Sequence, residues 1–203
     1  YQNKTYARSY LETIEKIEIS LEKKGLDKDN LLEAVARSLF KLMAYKDEYE
    51  VARAYTDVSY RRKLDAQFDG NYKIKFYFSP PLFAKRDPIT GQALKKEYSS
   101  SIIWLLKILA SLKIFRGSIL DPFGYLPERR KERQLILNYQ TLINEVIGNL
   151  SPESYDLAIE LLKLPMQIRG FGHVKDKAIR KFELEERNIL EKFRAISQHQ
   201  AGE

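Results

Sequence analysis

Asp29-Asn30-Leu31-Leu32-Glu33-Ala34-Val35-Ala36-Arg37-Ser38-Leu39-Phe40-Lys41-Leu42-Met43 is the stretch on which the fold turns. Leu31, Leu32, Val35, Leu39, Leu42 and Met43 recur at three- and four-residue spacing, which puts them on one face of an α-helix. Asp29 or Asn30 can cap its N-terminus. No glycine or proline intervenes before Gly70, so the helical pattern bends near Asp47 or runs on, and Tyr49, Ala52, Tyr55 and Val58 continue an apolar stripe to about Phe68.

Working outward, the same period governs the rest of the chain. Tyr6, Tyr10, Ile14, Ile17 and Leu21 form an earlier amphipathic helix that stops at Gly25. A short strand is predicted at 72–78, with Ile74, Phe76 and Phe78 inward and Lys73, Lys75 and Tyr77 in water. It ends at Pro80-Pro81, and Asp87-Pro88-Ile89-Thr90-Gly91 reads as a turn. A helix over 98–113 is apolar on nearly every side, so other elements should wrap it, with Trp104 in the core. Pro127 and Glu128 open a helix to about Asn149 whose inner stripe is Leu135, Leu142, Ile143, Val146 and Ile147. Ser151-Pro152-Glu153 starts another, which Pro165 ends. A last helix over 174–196 buries Ala178, Phe182, Ile189 and Phe193 before a polar tail. The fold expected is mainly α: a bundle of six or seven helices around the central apolar helix at about 98–113, with one short β element near 72–78, in a single domain over 1–203.

Composition bounds what such a chain does. The 203 residues are 44% hydrophobic and 31% charged, a balance that folds rather than stays disordered. The longest nearly uninterrupted apolar stretch, 102–112, is about half of the ~20 residues a membrane span needs, so no membrane partner is expected. The absence of cysteine excludes a disulfide framework, a thiolate nucleophile and an all-cysteine iron–sulfur cluster. Two histidines, His173 and His199, do not make a multi-histidine metal centre. Walker, nucleophile-elbow, zincin and dinucleotide-binding patterns are missing, and Asp69-Gly70-Asn71 is a turn rather than the longer thiamine diphosphate motif. No catalytic residue and no metal ligand is assigned. The chain opens at Tyr1 on a polar leader, which reads as a processed chain or a piece of a longer one.

The net charge of +7 is uneven. Residues 60–96 carry nine basic and three acidic side chains, interleaved with Phe68, Tyr72, Phe76, Tyr77 and Phe78. Such a run can stack bases and neutralise phosphates. The wet face of a half-buried strand accounts for it better, and the lack of any complete RNA-recognition signature argues against nucleic acid.

Two loops have the composition of a binding site. Arg116-Gly117-Ser118-Ile119-Leu120-Asp121-Pro122-Phe123-Gly124-Tyr125 precedes a basic group that includes Arg129 and Arg130. Ile168-Arg169-Gly170-Phe171-Gly172-His173-Val174-Lys175 opens a helix with two glycines. There Gly170 and Gly172 can bring backbone amides close to an anion, Arg169 supplies a bidentate fork, Lys175 a point charge and His173 a titratable donor. The competing reading makes the glycines a mere turn, Phe171 a core plug, and Arg169 a partner of Asp121 or of a helix carboxylate.

These stretches also carry a family likeness. Ala34-Val35-Ala36-Arg37-Ser38-Leu39-Phe40-Lys41-Leu42-Met43-Ala44-Tyr45-Lys46-Asp47-Glu48-Tyr49-Glu50-Val51-Ala52-Arg53, Ser79-Pro80-Pro81-Leu82, Asp121-Pro122-Phe123-Gly124-Tyr125 with Glu128-Arg129-Arg130, and Ile168 to Lys175 closely resemble, in order, the C-terminal domain of the indolepyruvate ferredoxin oxidoreductase family. Tyr98-Ser99-Ser100-Ser101 departs from an aromatic-glycine-proline-tryptophan run of that family, and Tyr77 stands where a histidine is usual. The resemblance implies a cytoplasmic, homo-oligomeric parent enzyme that oxidatively decarboxylates aryl 2-oxo acids such as indolepyruvate, transfers the acyl group to coenzyme A and reduces ferredoxin. It implies thiamine diphosphate, magnesium and iron–sulfur centres in that parent, with no cofactor in this segment, whose partners are the parent's other domains. The segment alone is then expected to be inactive.

Overall fold

In a computed structural model, residues 2–79, 94–170 and 172–201 are described. The side chains of 199–201 fall outside that set, and so do the expected turn at Asp87 to Gly91, the Pro80-Pro81 strand end, Phe171 and the side chain of His199. The architecture is mainly α, with eight helices and one two-stranded antiparallel β element among the described residues. The chain, read above as one domain, divides into two compact units: Tyr1–Tyr45 with Pro122–Glu203, and Lys46–Asp121. The second is an insertion, entered and left at neighbouring points of the first unit's sequence order, which is why no linker composition marks it.

The first unit holds α1 (Lys4–Lys24) and α2 (Asp29–Met43) from the N-terminal part. Asn3 caps α1 by accepting from the Tyr6 backbone N–H at 2.8 Å. At the other end Gly25 takes φ 64°, and the N–H groups of Gly25 and Leu26 return to the carbonyls of Glu22 and Leu21, a Schellman closure that a β-carbon would strain. Neither Asp29 nor Asn30 caps α2; Asp29 is its first helical residue, where its charge favours the N-terminal dipole. Leu31, Ala34, Val35, Ser38, Leu39, Leu42 and Met43 are buried, one continuous helical face. It packs against α1, α6 (Pro127–Gly148) and α7 (Tyr155–Lys163). Each leucine-sized side chain taken fully from water there contributes about 1.5–3 kcal/mol.

The expected inner stripe of α6 is buried in full, joined by Ile136 and Tyr139. Helix α7 starts at Tyr155 rather than at the serine-proline signal, because Ser151 and Ser154 bond each other in the preceding turn. Pro165 ends α7 as expected, the helix stopping at Lys163 with Leu164 as its cap. It opens a 3-10 turn, Leu164–Gln167, in which its missing N–H costs nothing. Helix α8 (His173–Ala201) runs past the expected end at 196 and buries Phe182 and Phe193, with Ile179 in place of Ala178. Tyrosine hydroxyls stitch these helices through carbonyls: Tyr6 to Met43 (2.9 Å), Tyr139 to Leu162 (2.7 Å) and Tyr155 to Asp27 (2.6 Å). The Lys24 ammonium donates to the carbonyls of Gly148 and Leu150, satisfying acceptors that the end of α6 leaves open.

The second unit contains α3 (Glu48–Thr56), α4 (Val58–Asp65), β1 (Phe76–Phe78), β2 (Lys96–Tyr98) and α5 (Ile102–Ser111), which continues as a 3-10 turn, Leu112–Phe115. The stripe from 29 to 68 is therefore three helices. Asp47 and Asp57 are the reasons, because each takes an extended backbone and accepts an N–H of the helix it opens. Helix α5 is centrally packed in this unit, with α3 laid along it. It begins at 102, not 98, because Lys96 to Tyr98 pairs with β1 in the register Phe76 to Tyr98 and Phe78 to Lys96. The strand itself spans 76–78 rather than 72–78, with Phe76 buried and Tyr77 exposed as expected. Tyr55 meets Tyr60, Phe76 and Phe78 edge-on at centroid distances of 5.3, 5.6 and 5.4 Å, so the inner face of β1 is aromatic. Trp104 contradicts the core assignment: it is 70% exposed, and of α5 only Leu106 is buried. Among the described residues no helix is long and apolar enough to cross a membrane.

Candidate functional site

The candidate residues separate into two groups. Arg116 belongs to the inserted unit; Arg129, Arg130, Arg169, Gly170, Gly172, His173 and Lys175 belong to the other.

Arg116 is not available to a ligand. Its side chain and that of Asp47 are each 3% exposed; Nε lies 2.5 Å from Asp47 Oδ2 and Nη2 donates to Oδ1 at 2.7 Å. Asp47 Oδ1 also accepts from the Glu50 backbone N–H at 2.8 Å, so one carboxylate caps α3 and holds the guanidinium. The guanidinium carbon lies 5.6 Å from the centre of the Tyr49 ring. Tyr49 donates its hydroxyl to Asp121 Oδ1 (2.9 Å), and Asp121 Oδ2 accepts the Gly117 backbone N–H (2.8 Å). Burial, reinforced by the Asp121 carboxylate, pushes the Tyr49 phenol well above its ordinary pKa, so it stays a donor. The four residues lie at the first and last turns of the insertion, where together they clasp the segments by which the chain enters and leaves it. Asp121 is thus bonded to Tyr49 and Gly117.

The second loop is built by close approach. Gly170 has φ 97°, and a β-carbon there would come within 2.6 Å of Val174 Cγ1; only glycine lets the backbone pass over the first turn of α8. Gly172 also has positive φ, 53°. His173 is the exposed first residue of α8. Arg169 is exposed and makes no hydrogen bond or ion pair among the described residues. Lys175 is engaged, its ammonium 2.6 Å from Glu132 Oε1. Glu132 is buried and also faces Arg129, 3.8 Å away, whose guanidinium lies 5.9 Å from the centre of the Tyr45 ring. Arg130 is exposed.

Two participants escape the sequence reading. Lys41, on the rim of the α2 face, donates to the Met166 carbonyl at 2.6 Å. Its pKa is lowered, first by burial and then by repulsion from Arg169 and Lys175. Glu132 is the carboxylate that Lys175 and Arg129 share. No local signal marks Lys41, because its partner lies 125 residues away. Asp47 had one: an aspartate with glutamate three residues on is a helix-start pattern. Chemically the loop can hold charge and hydrogen-bond acceptors; no group of three or more histidines and carboxylates that could hold a metal occurs among the described residues.

No curated protein and no solved structure matches the chain. The model of a family described as a family of unknown function (DUF6537) matches residues 1–188, and the chain belongs to that family.

Proposed function

We propose that the chain is an accessory helical domain of an enzyme resembling the indolepyruvate ferredoxin oxidoreductases, with an architectural rather than a chemical part in it. The observation that carries this reading is the use made of the motif residues. Three charged residues of the 34–53 and 121–130 stretches are engaged internally: Asp47 by Arg116, Asp121 by Tyr49, Arg129 by Glu132 and Tyr45. Charge that is paired and buried specifies a fold and is spent before a substrate arrives. The residues do not fit an iron–sulfur centre, since cysteine is absent. The decarboxylation, acyl transfer to coenzyme A and ferredoxin reduction of such an enzyme, with its thiamine diphosphate and magnesium, belong on this reading to other domains.

The test is enzymatic. The purified chain, given indolepyruvate, coenzyme A, thiamine diphosphate, magnesium and oxidised ferredoxin, is expected to give no turnover; acyl-CoA formation would overturn the proposal. In the complete enzyme, Arg116→Met should lower activity only in step with the folded fraction. Activity lost at undiminished thermal stability would move the residue into the chemistry instead.

A further inference from the structure

We infer that Lys41, Arg169 and Lys175 form a binding site for a phosphoryl group, of the monophosphate or diphosphate class, at the mouth of α8. This goes beyond the architectural reading and stands independently of which enzyme the chain serves. The cations come from three places in the first unit: Lys41 from α2, Arg169 from the loop after the 3-10 turn, and Lys175 from the first turn of α8. Glu132 is shared by Lys175 at 2.6 Å and Arg129 at 3.8 Å, and neither Lys41 nor Arg169 has a carboxylate partner among the described residues. The neighbouring Asp176 is already taken by Lys131 at 2.6 Å.

Such convergence opposes itself. Lysine in the first turn of a helix works against the dipole, which favours anions there. Lys41 is held in place by a neutral carbonyl, so its charge is positioned without being neutralised. The backbone brings the three together, since Lys41 holds the Met166 carbonyl three residues before Arg169 and Gly170 lies against the first turn of α8 beside the Lys175 N–H; the Lys41 pKa is lowered first by burial and then by repulsion from Arg169 and Lys175. Arg169 keeps its whole fork unused among the described residues. An incoming dianion would relieve the mutual repulsion and take the bidentate donor, and a phosphoryl group has the oxygens to accept from a guanidinium and two ammonium groups at once. A carboxylate offers fewer acceptors and half the charge, which is why the phosphoryl class is assigned.

The experiment titrates inorganic phosphate and inorganic pyrophosphate separately into the full chain by calorimetry at low salt, with chloride of matched ionic strength as the blank. Saturable binding of one equivalent is expected, tighter for pyrophosphate. Arg169→Ala removes an exposed side chain that the fold does not use and should weaken binding about tenfold or more, with the melting temperature unchanged. Lys41→Met should weaken it comparably and Lys41→Arg should retain it. Arg37→Ala, which breaks an exposed pair with Glu33 on α2, should leave it intact. Absence of saturable binding to either probe, equal affinity in wild type and Arg169→Ala, or an equal loss in Arg37→Ala would each overturn the assignment.

Discussion

Replacing Arg116 by methionine removes a guanidinium whose partner cannot escape to water. Asp47 is 3% exposed in its side chain and receives two contacts from Arg116, at 2.5 and 2.7 Å. The variant leaves that carboxylate with the Glu50 N–H alone, and a buried charge stripped of its partner costs about 3–5 kcal/mol. That is a large share of the ~5–15 kcal/mol that holds a typical domain folded. The loss should be concentrated in the inserted unit, because all four clasp residues lie in it. Asp47→Asn keeps the cap oxygen on Glu50 while discarding the charge, so the double variant Asp47→Asn with Arg116→Met should recover about 2–3 kcal/mol relative to the sum of the single losses. Urea unfolding followed by circular dichroism gives the four corners of the cycle. Hydrogen exchange on peptides from α3 and from the segment around Arg116 shows where protection is lost. A single-variant loss below about 1 kcal/mol, or additive losses, would refute the clasp as a coupled unit.

Other outcomes follow from particular contacts. Gly170→Ala should lower stability by about 1–3 kcal/mol, from positive φ and the Val174 clash together, and adding Val174→Ala should return part of it, read as a melting-temperature series. Trp104→Ser should change stability by less than about 0.5 kcal/mol, where a core tryptophan would cost about 3–5 kcal/mol; chemical denaturation separates the two. Arg194 bridges α8 to Glu145 of α6 at 2.6 and 3.0 Å, and its hydrogen bonds hold the Glu145 carboxyl below its ordinary value of 4.5. A depressed carboxylate stabilises the fold above its unfolded pKa and stops doing so as pH falls through the folded one. Arg194→Gln should therefore be less stable than wild type near neutrality, with the gap closing below pH 4.5; equal stability at neutral pH would mean that the pair is unformed.

The elements legible in the sequence are those whose causes are local. Gly25 ends α1, Pro127 opens α6, and the α2 stripe is buried in nearly the expected register, because cap chemistry and helical period act within a few residues. The β2 strand was illegible for the opposite reason. Lys96-Glu97-Tyr98 has no alternation of its own and becomes a strand through pairing with β1, where Glu97 accepts from both Lys75 and Tyr77. That cross-strand cluster occupies two exposed members of the basic-aromatic run, Lys75 and Tyr77.

Helix α5 shows the limit from another side. Apolar residues all round a helix state that burial is needed without saying which molecule provides it, and here Trp104, Leu105, Ile108 and Leu112 stay exposed while α3 covers the other side. The same asymmetry governs the charged residues. A sequence displays an arginine and an aspartate alike, whether they will bind each other or a ligand; the outcome depends on contacts such as Asp47 with Arg116, 69 residues apart. Arg116 and Arg169 look equivalent as glycine-flanked cations, yet one is enclosed by its own carboxylate and the other has none among the described residues. That difference in compensation, rather than residue type or spacing, is what distinguishes a structural charge from a binding charge in this chain.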